Sequence, residues 1–154
     1  RICRINRHSE DYCMKWFAPA AVGALMAFGL VGQAQAEGNL ASNATRLPDL
    51  AINSETLTFS QTRFELETGK YYRLRLVHDG GEELAVVAPE LFRNSWINQV
   101  VINDLEVKPY GLYSVEFDDE GTIDIWFVPV RPGEYKFWAD GYQDRGLSGT
   151  FVVK

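Results

Sequence analysis

Short runs of β-branched and aromatic residues, each closed by turn chemistry, fill residues 56–153 and leave little room for helices. The runs fall at 56–60, 64–67, 71–77, 84–87, 99–102, 106–108, 113–117, 122–128, 133–139 and 149–153. Gly69-Lys70, Asp79-Gly80-Gly81, Glu120-Gly121 and Pro132-Gly133 lie between runs and supply the backbone angles that tight turns need. Tyr72, Leu74 and Leu76 alternate with Arg73 and Arg75, while Ile123, Ile125 and Phe127 alternate with Thr122, Asp124 and Trp126. A period of two sends one set to a core and the other to solvent. The pattern predicts an all-β Greek-key β-sandwich. One short helix is expected near 89–95, opening on Pro89, where a missing N–H costs nothing.

The first third of the chain has a different character. Met14-Lys15 leads an apolar run over 16–32, and Ala34-Gln35-Ala36 follows. One positive charge, a short apolar core and an Ala-x-Ala end describe a bacterial secretory signal peptide over 14–36, cleaved after Ala36. Residues 1–13 are polar, do not begin with Met and are read as an upstream segment before a start at Met14. Residues 37–54 show no clear period and are expected to form a flexible leader to a domain at 55–154. The expected location is periplasmic or secreted. Membrane contact is expected only if the apolar run is retained as an anchor, at the short limit for spanning the hydrocarbon layer.

Composition narrows the chemistry. Residues 37–154 carry 11 Lys and Arg against 19 Asp and Glu, a net charge of −8, which argues against nucleic acid as a partner. Cys3, Cys13, Met14 and Met26 are the only sulfur-bearing residues, so the exported chain would have no sulfur at all. His78 is its single imidazole. Without a disulfide, such a chain must be stabilised by packing and sheet hydrogen bonds.

The order of motifs resembles a cupredoxin. The features that carry the resemblance are Phe64-Glu65-Leu66-Glu67-Thr68-Gly69-Lys70, the strand at 71–77, and Ala88-Pro89-Glu90-Leu91-Phe92. The strongest is the C-terminal stretch, Val130-Arg131-Pro132-Gly133-Glu134-Tyr135-Lys136-Phe137-Trp138-Ala139 followed by Gly146-Leu147-Ser148-Gly149 and a last apolar strand. The resemblance implies a plastocyanin- or azurin-type sandwich holding copper with two His, a Cys thiolate and a weak axial Met. The loop spacing of that family lays Ala139 on the Cys position, Tyr142 on the second His and Leu147 on the Met. The first His falls on Glu83 or Leu84. The loop length matches, but the ligand side chains are replaced.

Other constellations each have two readings. His78-Asp79-Gly80-Gly81-Glu82-Glu83 offers a weak Cu(II) or Zn(II) site from His78, Glu82 and Glu83, or simply a solvated β-turn. Asp118-Asp119-Glu120 suggests calcium, or a charged hairpin turn. Trp138 and Tyr142 form a docking surface for a protein partner, or rings filling the space of an absent metal centre. Ser95 and Ser148 have no second His for a triad, and no phosphate-cradling glycine loop is present. The chain is therefore expected to be an exported, non-enzymatic binding or accessory module with a degenerate copper site and no cofactor. The alternative is a copper-handling or electron-transfer cupredoxin using a non-standard site.

Overall fold

In strand β5 (Tyr72–His78) the alternation read from the sequence becomes a face: Tyr72, Leu74, Leu76 and His78 are buried, and Arg73, Arg75 and Val77 are half-buried on the other side. The computed structural model describes residues 43–154. The upstream segment 1–13 and the signal peptide 14–36 lie outside the described residues.

Before β5 come β1 (Thr45–Arg46), β2 (Leu50–Asn53), β3 (Thr58–Phe59) and β4 (Arg63–Leu66). After it come β6 (Leu84–Val87), α1 (Pro89–Arg93), β7 (Ser95–Ile102), β8 (Leu105–Val107), β9 (Ser114–Phe117), β10 (Gly121–Pro129), β11 (Gly133–Ala139) and β12 (Ser148–Val153). One sheet runs β3-β2-β5-β10-β7-β8, with β1 also paired to β5; the other runs β4-β12-β11-β6-β9. Only β1–β3, β7–β8 and β11–β12 keep consecutive strands in one sheet, so the chain crosses repeatedly between layers. This is the two-sheet sandwich with one short helix that the sequence predicts.

The flexible leader is corrected for its described part. β2 pairs in parallel with β5, setting Leu50 opposite Leu76 and Ile52 opposite His78, and both Leu50 and Ile52 are buried. Two inward residues separated by Ala51 are too short a pattern to announce a strand, and the parallel partner lies more than twenty residues away. The ordered domain therefore begins before residue 55.

The layers meet in a cluster of rings. Phe137 (β11) lies 5.4 Å from Phe59, 5.9 Å from Phe64 and 4.9 Å from Phe151, centroid to centroid. Its cross-strand partner is Gly149 of β12, where a Cβ would collide with the Phe137 ring and with the Thr62 carbonyl. Gly149→Ala is accordingly expected to destabilise the domain by about 1–3 kcal/mol in a denaturant titration, the usual cost of overpacking. An unchanged midpoint would show that the ring can move aside.

On the outer face of the larger sheet, Asp124 (β10) sits directly opposite Arg75 and next to the pair Trp126–Arg73. Arg73 donates to its carboxylate at 2.9 and 2.6 Å, and Arg75 at 3.0 and 3.0 Å. The Arg73 guanidinium also lies 4.9 Å from the Trp126 ring centroid. A position read as solvent-facing is thus covered by its own neighbours, and Asp124 is 7% exposed.

Candidate functional site

The loop between β11 and β12 closes on itself through the main chain. The Ala139 N–H donates to the Leu147 carbonyl (2.9 Å), and the Tyr142 N–H to the Ala139 carbonyl (3.0 Å). A 3-10 turn at Gln143–Arg145 ends on Gly146 at φ 96°, a left-handed angle that glycine adopts without strain. The Asp140 N–H donates to the Ala85 carbonyl at 2.8 Å, tying the loop to β6.

These contacts join Ala139 to Leu147 and Tyr142 and set the loop beside Ala85. Ala139 and Leu147 have no exposed surface, and Leu84 is 2% exposed in the same apolar cluster. Tyr142 is half-buried and packs against that cluster, with the Arg145 guanidinium 5.6 Å from its ring centroid. Glu83 is exposed. Of the two candidates for the first position, Leu84 faces the interior. Trp138 lies half-buried on the opposite face of β11, beside Lys136, Gln143 and Thr150.

His78 does not join Glu82 and Glu83. Its ring is on the core face of β5, stacked on Phe117 at 5.3 Å and 3% exposed. Nδ1 lies 3.2 Å from the Asp119 carbonyl and 3.3 Å from the Gly80 N–H, and Nε2 has no partner. Glu82 and Glu83 are exposed. Among the described residues no three His, Cys, Asp or Glu side chains are grouped to hold a metal ion. Asp79, beside His78, instead braces the turn by accepting from the Ser54 N–H (2.9 Å) and Oγ (2.5 Å), which holds its carboxyl below the usual range.

Asp118-Asp119-Glu120 carries the chain from β9 in one sheet to β10 in the other, so it is a crossover and the hairpin reading is corrected. The Asp119 side chain accepts from the Glu120 N–H at 2.8 Å. Next to this crossover, a hydrogen bond with Glu83 raises the Glu116 carboxyl above the ordinary range, reinforced by the charges of Glu83, Asp118 and Asp140. Glu83, Glu116, Asp118 and Asp140 therefore lie close enough at this end of the sandwich for their charges to interact. Glu83→Gln is expected to bring the Glu116 titration midpoint down, as followed by carbon-detected NMR; an unchanged midpoint would mean that the two carboxyls do not interact in solution.

The most exposed aromatic side chains are not those of the loop. Tyr110 is fully exposed, Tyr113 is 64% and Trp96 is 46% exposed, whereas Trp138 and Tyr142 are half-buried. Sequence reading missed these three because alternation gives a residue's face but not where the covering layer ends.

No family model and no curated protein matches the chain. Solved structures do. The fold is similar to auracyanin B, at 18% identity and TM-score 0.50 over 73% of this chain and 91% of that one. It is also similar to a variant of the McoA multicopper oxidase from Aquifex aeolicus (11% identity, TM-score 0.56, 73% of this chain). A multicopper oxidase from Campylobacter jejuni gives 8% identity and TM-score 0.53 over 73% of this chain. The chain spans about a third of the length of each oxidase, 32% and 31%. The expectation that no cofactor is involved is corrected by these neighbours, since the fold is shared with proteins named as copper enzymes. The side chains converging at the loop of this chain do not fit a thiolate–imidazole copper centre. Ala139 and Leu147 offer no donor atom, and Leu84 fills the inward position on β6.

Proposed function

Because the domain is a cupredoxin-like β-sandwich, we propose that it is an exported binding or accessory module that lacks a type-1 copper site at the loop. The observation that carries this reading is the apolar filling of the loop end. Leu84, Ala139 and Leu147 are sealed in one cluster, yet the loop keeps its length and its main-chain closure. A loop held in shape without ligands is suited to presenting a surface, and Trp138 and Tyr142 are its docking residues. The acidic surroundings of Glu83, Glu116, Asp118 and Asp140 favour a cationic protein partner. Nothing in the site supplies a nucleophile and base for enzymatic chemistry.

Export rests on the Ala34-Gln35-Ala36 sequence after the apolar run. Mass spectrometry of the protein from its host is expected to find Glu37 at the N-terminus. An intact 14–36 segment in the membrane fraction would support the anchor instead.

The loop assignment is tested by restoration. The combined variant Leu84→His, Ala139→Cys, Tyr142→His and Leu147→Met is expected to gain a coloured Cu(II) centre. The same variant with Glu83→His replacing Leu84→His is expected not to, because Glu83 faces solvent. A folded variant that binds copper no better than wild type would contradict the placement. A second reading, copper handled at another site, is favoured by the multicopper oxidases among the fold neighbours. A tightly held copper in wild type without a thiolate colour would favour it.

A further inference from the structure

Strands β8 and β9 are edge strands of the larger and the smaller sheet, and the seam between these edges lies where Ile102, which pairs with Leu105 of β8, lines one groove with Phe117 of β9. Ile102 pairs with buried Ile123 and with Leu105, and buried Val100 pairs with Val107. These pairings put Ile102, Leu105 and Val107 on the core-facing side of their sheet. They are nonetheless 41%, 65% and 40% exposed. The smaller sheet ends at β9 and does not extend beneath β8. A groove at the β9–β10 crossover adjoins this face at Ile102 and is lined by Phe117 and Ile123 together with Glu116, Asp118 and Asp119. Tyr113, 64% exposed at the start of β9, shares the inward phase of Val115 and Phe117.

Charge selects the occupant. Glu116, Asp118, Asp119 and Glu120 line the groove, Asp104 and Glu106 flank Leu105 in the sequence, and the nearby cation Lys108 is paired with Glu106 at 2.6 Å. A second copy would bring the same acidic rim against this one. An anionic membrane or a nucleic acid would be repelled in the same way. A cationic segment gains on both counts, with apolar side chains for the floor and Lys or Arg for the rim. Among the described residues β8 pairs only with β7, which leaves its outer edge for an added strand. Alternating apolar and basic side chains would match the period of such a strand.

We propose that the β8–β9 seam binds an extended basic segment of a partner protein, with alternate apolar side chains seated on Ile102 and Leu105. This builds on the binding-module reading; the seam shares Glu116 and Asp118 with the acidic surroundings of the loop but takes its apolar contacts from β7 and β8.

The test uses the purified protein and the peptide Lys-Leu-Lys-Val-Lys-Leu-Lys, with Glu-Leu-Glu-Val-Glu-Leu-Glu as its control. The basic peptide is expected to bind saturably, to shift β8 and β9 amide signals in NMR, and to weaken with added salt. Leu105→Ser, a change at an exposed position, is expected to weaken binding about tenfold, as loss of a central apolar anchor does. Asp118→Asn with Asp119→Asn is expected to reduce the salt dependence. The proposal is overturned if neither peptide binds, if both bind alike, if Leu105→Ser binds as wild type does, or if the shifts fall on residues 139–147. It is also overturned if the protein self-associates through β8 and Leu105→Ser abolishes that association. None of these outcomes bears on copper at the loop, so failure here and failure of the binding-module reading are separable.

Discussion

Phe137→Ala is expected to lower the unfolding free energy by about 3–5 kcal/mol, the usual loss for a buried aromatic truncated in a packed core. The ring has no exposed surface and touches Phe59, Phe64 and Phe151, which come from β3, β4 and β12. Deleting it removes one ring contact between the two sheets and two within the smaller one. The rigid cross-strand position of Gly149 leaves no side chain there to collapse into the void. Urea titration monitored by circular dichroism measures the loss. A change below about 1 kcal/mol would mean that the strand face is reversed.

Asp124→Ala carries the second large effect. One carboxylate, its side chain 10% exposed, accepts four hydrogen bonds from two guanidiniums. Removing it leaves two like charges side by side on β5 with no counter-charge from β10. Breaking a buried pair costs about 3–5 kcal/mol; here about 2–3 kcal/mol is expected, because the Arg75 side chain is 37% exposed and solvent screens part of the charge.

The same network predicts a pH dependence. Burial alone would raise the Asp124 carboxyl, but the hydrogen bonds and charges of Arg73 and Arg75 outweigh burial and hold it below the ordinary range. The native group therefore releases its proton at lower pH than the unfolded one. Its stabilisation is complete above the unfolded value of about 4 and is lost as pH falls through the lower native value. Asp124→Asn is expected to flatten this acid limb of the stability profile. Parallel wild-type and variant profiles between about pH 5 and pH 2 would show that Asp124 does not set it.

What was legible in the sequence was whatever a short period or a turn motif encodes. β5, β6, β10 and β11 were placed from alternation and turn residues, and the Pro89 helix start from the geometry of proline. The spacing from Ala139 to Leu147 picked out two positions that are both buried in the core. What was not legible depended on remote partners. β2 has only two inward residues and is stabilised by a parallel neighbour that no local pattern announces. Asp124 has the phase of a solvent-facing residue, yet two arginines from the next strand cover it. His78 reads as a metal ligand beside acids, but its place at the end of β5 turns it into the core against Phe117. Leu105 and Val107 have the correct inward phase and still meet solvent, because sequence phase carries no information about where the opposite sheet stops.

The central claim is that the loop of this sandwich presents a shaped surface and not a type-1 copper centre. The most direct measurement is the visible spectrum of the purified protein with one equivalent of Cu(II), read together with metal content after dialysis. No intense thiolate-to-copper charge-transfer band is expected, because the cysteines of the sequence, Cys3 and Cys13, both precede the described domain. A blue protein retaining one copper per chain would contradict it.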